Sequence, residues 1–158
     1  METVASQEVQ IRAVKAEDMN SVSELENACF KDPFPSYFLS QLADANPDTF
    51  LVALDRGRIV GYAVVDDWTD HQHLVSIAVH PDSRRRGIGQ GLLDNLTERL
   101  HEGPLRLELR KSNGSALGLY LKNGFHQIGI VRSYYTDGED AIQMEKAIRK
   151  KLEVLTPA

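Results

Sequence analysis

The sequence has a single cysteine, Cys29, which excludes an internal disulfide and any metal site built from several cysteines. It has no apolar run close to the roughly 20 residues of a membrane-spanning helix, so we expect no insertion into a membrane. It also has no excess of basic residues: the formal net charge is -5, which argues against general binding of nucleic acid. The spacing of its histidines is not that of a metal site, and we predict no bound metal.

Length and composition predict one compact domain. With 158 residues, 42% of them hydrophobic, the chain can form a sizeable core but has little room for a second domain. We place the domain at residues 9–147, after a flexible lead-in at 1–8 and before a C-terminal tail at 148–158. The lead-in lacks the basic start and apolar stretch of a secretory signal, and together with the single cysteine this favours a cytoplasmic protein.

Hydrophobic periodicity predicts the element order β-α-α-β-β-β-α-β-α-β-β. Residues 74–80 are typical of a strand. After them, apolar residues at helical spacing predict a helix that begins at Gly87 and ends at Gly103-Pro104.

Between that strand and that helix lies the stretch SRRRGIGQG, residues 83–91, with three arginines beside three glycines. Backbone N–H groups at a helix N-terminus and guanidinium groups both bind anions, so the stretch predicts a site for a phosphate-bearing ligand. An exposed glycine-rich turn is the alternative. A P-loop is excluded because no lysine follows the glycines. A dinucleotide-binding loop needs a third glycine at the position of Leu92, which argues against such a loop. Glu108 nevertheless lies near the distance along the sequence at which such folds place a ribose-binding acidic residue, so this alternative stays open.

Residues 77–93, IAVHPDSRRRGIGQGLL, resemble the acetyl-CoA signature of the GNAT superfamily, V-x-P-x-x-(Q/R)-x-x-G-x-(G/A). The matching residues are Val79, Pro81, Arg84, Gly87 and Gly89. Downstream, LELRKSNGSALGLYLKNGF resembles the second half of the same fold. The segment RSYYTDGEDAIQM narrows the resemblance to the RimI-like and archaeal-type N-terminal protein acetyltransferases, and similarity extends from about Val9 to Lys146.

The resemblance implies a single α/β GNAT domain. Its central sheet would be mixed but mostly antiparallel, splayed at two parallel strands and flanked by about four helices. Acetyl-CoA would bind in the splay, with its pantetheine arm on strand backbone and its pyrophosphate on the arginine-glycine loop. Gln90 stands where many relatives have arginine. The residues expected to bind acetyl-CoA are Ile77, Ala78, Val79, Arg84, Arg85, Arg86, Gly87, Ile88, Gly89, Gln90, Asn113 and Tyr120.

Attack of a neutral amine on a thioester needs an acceptor for the amine proton and a donor for the leaving thiolate. Alternation along residues 105–110 places Glu108 opposite the leucines, together with Arg106 and Arg110. By itself this pattern also fits an exposed or ion-paired carboxylate. The resemblance implies that Glu108 is the proton acceptor.

The resemblance implies two further catalytic residues, His73 and Tyr120. Histidine titrates near neutral pH and can relay a proton through water. Alternation predicts that His73 shares a strand face with Val75 and Ile77. A structural histidine is the alternative, and the main base is left open between Glu108 and His73. Tyr120 would protonate the leaving sulfur, although its helical spacing also fits a core tyrosine.

Cys29 raises the possibility of an acetyl-cysteine intermediate, since a thiolate accepts an acyl group from a thioester. Its place in the first predicted helix favours a buried structural thiol instead. We therefore predict direct transfer within a ternary complex.

Two aromatic segments are candidates to enclose the substrate. Phe34 and Tyr37 lie in a proline-stiffened loop, and the resemblance implies that Tyr134 and Tyr135 close the other side. We predict that these two tyrosines lie on opposite faces of one strand, followed by a hairpin turn at residues 137–140.

An α-amine is roughly a tenth neutral at pH 7 and lysine only about once in a few thousand molecules, so deprotonation of an N-terminus costs about 3 kcal/mol less. The function predicted is therefore acetylation of protein N-termini, with ribosomal proteins among the candidate substrates, by a monomer or weak dimer. The alternatives are acetylation of lysine side chains or small-molecule amines, a non-catalytic acyl-CoA sensor, and a nucleotide-binding regulator.

Overall fold

The computed structural model describes residues 9–150, and its elements follow the predicted order. The predicted lead-in at 1–8 and residues 151–158 of the predicted tail lie outside the described residues. The strands are β1 Val9–Ala13, β2 Phe50–Asp55, β3 Arg58–Asp67, β4 Gln72–Val79, β5 Gly103–Arg110, β6 His126–Val131 and β7 Ala141–Ile148. The helices are α1 Met19–Cys29, α2 Ser36–Ala45, α3 Ile88–Arg99 and α4 Gly114–Lys122.

The seven strands within residues 9–150 form one sheet in the order β1-β2-β3-β4-β5-β7-β6. Neighbouring strands are antiparallel except β4 and β5, which are parallel. These two strands pair only where Gln72 meets Leu105 and His73 meets Arg106, and then they separate. The predicted mixed sheet, splayed at two parallel strands and covered by four helices, is confirmed.

Helices cover both faces of the sheet because the strands alternate in what they bury. In β2, the side chains of Leu51 and Ala53 pack in the cluster that contains the leucines of α3, whereas Phe50 and Val52 pack in the cluster that contains those of α1 and α2. The predicted alternation of β5 is also confirmed, since Leu105, Leu107 and Leu109 are all buried. No helix within residues 9–150 is long and apolar enough to cross a bilayer.

One predicted boundary is wrong. Helix α3 ends at Arg99, and Gly103-Pro104 begins β5 instead of ending the helix. Leu100 takes an extended backbone with its side chain buried, so the chain leaves the helix three residues before the glycine. Gly103 then has φ 135, a conformation that favours glycine.

Candidate active site

A β-bulge in β4 sets the geometry of the cleft. Val64 of β3 pairs with Ser76 and Val65 pairs with Leu74, so Val75 is an extra residue on β4. The bulge breaks the alternation of side chains: Val75 packs with the α1 and α2 cluster and Ile77 with the α3 cluster. The prediction that His73, Val75 and Ile77 share one face is therefore wrong.

The separation of β4 from β5 exposes a backbone edge. Beyond His73, β4 has no partner strand on its β5 side in the described sheet. Ile77, Ala78 and Val79 pair with β3 on their other side only. An extended ligand can therefore add to this edge as a short strand would, through backbone hydrogen bonds.

The N-terminus of α3 presents free amides beside this edge. The first helical bond runs from the Gly91 amide to the Gly87 carbonyl at 2.9 Å, so the amides of Ile88, Gly89 and Gln90 precede it. Gly87 has φ 76, in the region where only glycine is unstrained. The positive end of the helix dipole and these amides together could hold an anion.

The three arginines of the loop have different tasks. Arg84 Nε donates to the Val79 carbonyl at 2.9 Å, and Arg86 pairs with Asp55 Oδ2 at 2.7 Å. That ion pair holds the pKa of Asp55 below its usual range. Both side chains thus brace the loop against the sheet. Arg85 is exposed, with φ 66 and no ion pair or side-chain hydrogen bond to residues 9–150, and is available to an anionic ligand.

The side chains of Gln90 and Asn113 are engaged in local structure. Gln90 exchanges two hydrogen bonds with Asn123, of 2.7 and 2.9 Å, which tie α3 to the end of α4. Asn113 Oδ1 caps α4 by accepting from the Ala116 amide at 3.2 Å. Contact of Gln90 with a phosphate would therefore use its backbone amide.

His73 and Glu108 meet where β4 and β5 begin to separate. His73 Nε2 lies 2.8 Å from Glu108 Oε1, and the His73 side chain is buried. The indole of Trp68 stacks on the His73 ring with centroids 3.9 Å apart and planes 3° apart. This packing holds the ring in the orientation that points Nε2 at the carboxylate, so the pair can accept and hold a proton together.

Tyr120 of α4 is buried, with its ring edge-on to Phe125 at 5.4 Å. Burial raises the pKa of its phenol well above the usual value, and the nearby Tyr135 adds to the rise. The phenol therefore keeps its proton throughout the neutral range, as a proton donor must.

Tyr134 and Tyr135 lie in the loop between β6 and β7, not in a strand. Their rings meet edge to face at 5.0 Å, so the prediction that they lie on opposite faces of one strand is wrong. Burial raises the pKa of Tyr134, and that of Tyr135 to about 12, with the negative charge of Glu108 adding to both. Both tyrosines thus lie near Glu108, because loop backbone is not bound by strand alternation.

Arg110 joins the two segments predicted to enclose the substrate. Its guanidinium binds Asp32 Oδ2 at 2.9 Å, Glu139 Oε1 at 2.8 Å and Asp137 Oδ2 at 2.9 Å, and lies 4.1 Å from the centre of the Tyr135 ring. Asp32 belongs to the α1–α2 loop, and the other partners belong to the β6–β7 loop. The only sequence signal for this role was the shared strand face of Arg110 and Glu108.

Contacts with α1 and α2 also hold the α1–α2 loop in place. The Phe34 amide donates to Glu26 Oε2 at 3.0 Å, and the Phe34 ring packs on Phe38 at 4.9 Å. Glu26 is buried, accepts from the Tyr62 hydroxyl as well, and its pKa is raised mainly by burial. Tyr37 lies on the first turn of α2 and is 68% exposed, so its side chain is not packed among the buried residues around Glu108 and His73.

Cys29 ends α1 and is partly buried. Its thiol donates to the Val79 carbonyl at 3.5 Å, and burial raises its pKa. A raised pKa leaves little thiolate at neutral pH, which disfavours Cys29 as an acyl acceptor.

Comparison with known proteins bears on this site. Residues 19–125 match the acetyltransferase (GNAT) family. An N-alpha-acetyltransferase of Sulfurisphaera tokodaii is 31% identical over 90% of this chain and 95% of its own length. The (ribosomal protein bS18)-alanine N-acetyltransferase of Escherichia coli is 36% identical over 80% of this chain and 96% of its own. The crystal structure of Ard1 from Thermoplasma volcanium superposes with a TM-score of 0.85 at 25% identity, covering 90% and 99% of the two chains.

Proposed function

Because this chain belongs to the GNAT acetyltransferase family, we propose that it transfers the acetyl group of acetyl-CoA to the α-amino group of protein N-termini. The observation that carries the proposal is the hydrogen bond between His73 and Glu108 at the point where β4 and β5 separate. Two relatives above 30% identity are named an N-alpha-acetyltransferase and a (ribosomal protein bS18)-alanine N-acetyltransferase, which supports the same substrate class.

The described residues fit acetyl-CoA. The free edge of β4 suits the amides of a pantetheine arm, and the amides at the start of α3 suit a pyrophosphate. Arg85 is the side chain available to a phosphate. When bound, acetyl-CoA supplies the activated thioester.

The chain's own residues supply the proton transfers. Glu108, supported by His73, accepts a proton from the substrate ammonium or from the amine as it attacks. Tyr120 holds its proton because of burial and donates it to the leaving sulfur. The raised pKa of the Cys29 thiol supports direct transfer in a ternary complex over a cysteine intermediate.

The loops braced by Arg110 enclose the acceptor. Tyr134 and Tyr135 offer aromatic walls near Glu108, where the first residue of a peptide would lie. Phe34 offers a third aromatic ring in the α1–α2 loop, which Arg110 joins to the β6–β7 loop. We infer that ribosomal protein N-termini are among the substrates, because one relative is named for that reaction. All proposed catalytic residues come from one chain, so a monomer or weak dimer suffices.

The test is mass spectrometry of peptides incubated with the protein and acetyl-CoA. The panel compares free N-termini, blocked N-termini with free lysines, and varied first residues. Gain of one acetyl group on free N-termini alone is the expected result. Transfer only to lysine, or binding of CoA without transfer to any peptide, would overturn the proposal in favour of a lysine acetyltransferase or a sensor.

A further inference from the structure

A continuous chain of hydrogen bonds connects Glu108 to the protein surface. Glu108 Oε1 lies 2.8 Å from His73 Nε2, and His73 Nδ1 lies 2.9 Å from His71 Nε2. His71 Nδ1 then lies 2.7 Å from Asp70 Oδ1. Both nitrogens of each imidazole are used, which is the arrangement that lets a histidine take a proton on one side and release one on the other.

This series of hydrogen bonds runs from the protein interior to solvent. The side chains of His73 and His71 are 5% and 8% exposed, whereas that of Asp70 is 74% exposed. Trp68 covers the two imidazoles: its ring stacks on His73 and meets His71 edge-on at 5.0 Å. Its amide also donates to the His71 carbonyl at 2.9 Å, which fixes the hairpin between β3 and β4 around the relay.

This series of hydrogen bonds is one proton short when both imidazoles are neutral. Two neutral imidazoles contribute two N–H groups, and ionised carboxylates contribute none. Three hydrogen bonds need three protons, so with neutral imidazoles one junction has two acceptors facing each other. One added proton completes all three bonds. The series of hydrogen bonds can therefore take up one proton, which can then lie at the Glu108 end or at the Asp70 end.

We propose that His71 and Asp70 are positioning residues that relay the substrate's proton from His73 and Glu108 to solvent. This inference rests on the proposed function. The N–H bond of the substrate breaks and a proton joins Glu108. It passes to His73 Nε2 as the Nδ1 proton of His73 moves to His71 Nε2 and the Nδ1 proton of His71 moves to Asp70. Asp70 releases it to water, and no electrons are exchanged.

Other charged groups face this chain and shape its pH dependence. The hydrogen bond from His71, with a contribution from Arg106, holds the pKa of Asp70 below its usual range, so Asp70 is an acceptor at neutral pH. Asp66 accepts from the Trp68 indole at 2.9 Å. Tyr134 and Tyr135 lie near Glu108 at the other end. Their raised pKa values keep both phenols uncharged at neutral pH.

The kinetic test uses His71→Gln, His71→Ala and the control His101→Gln, all in the full chain. His101 is an exposed histidine close to this hairpin but outside the relay, with its ring bonded to the Glu102 carbonyl at 3.0 Å. We expect His71→Gln to lower kcat on the order of tenfold, to change its pH profile and to leave the KM for acetyl-CoA unchanged. Added imidazole should restore His71→Ala. Unchanged kcat and pH profile in His71→Gln would overturn the proposal.

A second test does not depend on activity. Two-bond ¹H–¹⁵N NMR of histidine-labelled protein reports the protonation of each imidazole nitrogen as pH changes. We expect His71 and His73 to take up one proton in a single shared transition that Glu108→Gln disturbs. Two independent transitions would overturn the relay even if the wild type acetylates peptides. Wild-type protein that acetylates no peptide would instead contradict the proposed function, with the NMR result deciding the relay separately.

Discussion

His73 of β4 and Glu108 of β5 hydrogen-bond at 2.8 Å across the parallel strand pair, although β4 and β5 pair only at Gln72 and His73. The side chains therefore converge where the backbones diverge. We propose that a proton accepted by Glu108 is shared with His73 through this hydrogen bond, so that the pair acts as the base.

Removal of either member of the pair should lower activity strongly. We expect Glu108→Gln to reduce kcat/KM by about 10² to 10³, because it removes the proton acceptor while keeping a polar side chain of similar shape. His73→Gln should cost nearly as much, and the double variant little more than Glu108→Gln alone. Steady-state kinetics on a peptide substrate measures all three. Fully additive losses would show that the two residues act independently.

Tyr120→Phe should lower kcat on the order of 10² with little change in the affinity for CoA, because only the hydroxyl that protonates the leaving sulfur is lost. Burial raises the pKa of Tyr120, so its phenol stays protonated and should produce no fall in kcat on the alkaline side below about pH 10. The measurement is kcat against pH, with CoA affinity from calorimetry. Full activity of the variant would remove Tyr120 from the mechanism.

Substitutions of two glycines at the N-terminus of α3 test backbone strain and ligand contact separately. Gly87 has φ 76, so Gly87→Ala should destabilise the fold by about 1–2 kcal/mol. A Cβ on Gly89 would lie 3.7 Å from Leu119 Cδ2, an ordinary contact, so Gly89→Ala should leave stability nearly unchanged. It should still weaken CoA binding by crowding the amides. Thermal unfolding and calorimetry test both, and normal CoA affinity in Gly89→Ala would count against this phosphate site.

We expect Glu26 to make the stability of the fold depend on pH. Its folded pKa is raised by burial, so the stability it contributes is complete below its unfolded value and is lost as pH rises through the folded value. Glu26→Gln should therefore be more stable relative to wild type at neutral pH than at pH 4. Its amide can donate to Tyr62, which in turn donates to Ser76 at 3.0 Å, while its oxygen accepts from Phe34.

The matched variant Glu26→Ala should lose about 2–4 kcal/mol at both pH values, because it leaves a cavity and removes the acceptor of the Phe34 amide. Urea unfolding of the wild type and both variants across pH makes the comparison. A difference between wild type and Glu26→Gln that does not vary with pH would show that Glu26 does not titrate with folding.

Asp32→Asn should loosen the two substrate loops. It weakens the bond to Arg110 at 2.9 Å and the bond from the Thr136 hydroxyl at 2.7 Å, the contacts of Asp32 with β5 and the β6–β7 loop. We expect the KM for peptide to rise several-fold, on the order of 1 kcal/mol, with the KM for acetyl-CoA unchanged. Asp44→Asn on the exposed face of α2 is the control. Equal effects of both variants, or a change confined to acetyl-CoA, would contradict this role.

The sequence by itself determined the features that depend on residues close together along the chain. The order of elements, the amphipathic α3 and the leucine face of β5 all follow from periodicity, which is a local property of the chain. The glycines beside arginines indicated a candidate anion site for the same reason, since the N-terminus of a helix and its signature lie within a few residues of each other.

Tertiary structure decided which distant groups meet. His73 and Glu108 are 35 residues apart and Arg110 and Asp32 are 78 apart, and strand order and loop packing brought each pair together. The bulge at Val75 broke the side-chain alternation that local pattern had predicted, and a loop replaced the strand predicted at Tyr134 and Tyr135. The relay through His71 needs two imidazoles and two carboxylates from two strands and a hairpin at hydrogen-bonding distance. Such distances are set by the packed fold, because periodicity specifies only the face on which a residue lies.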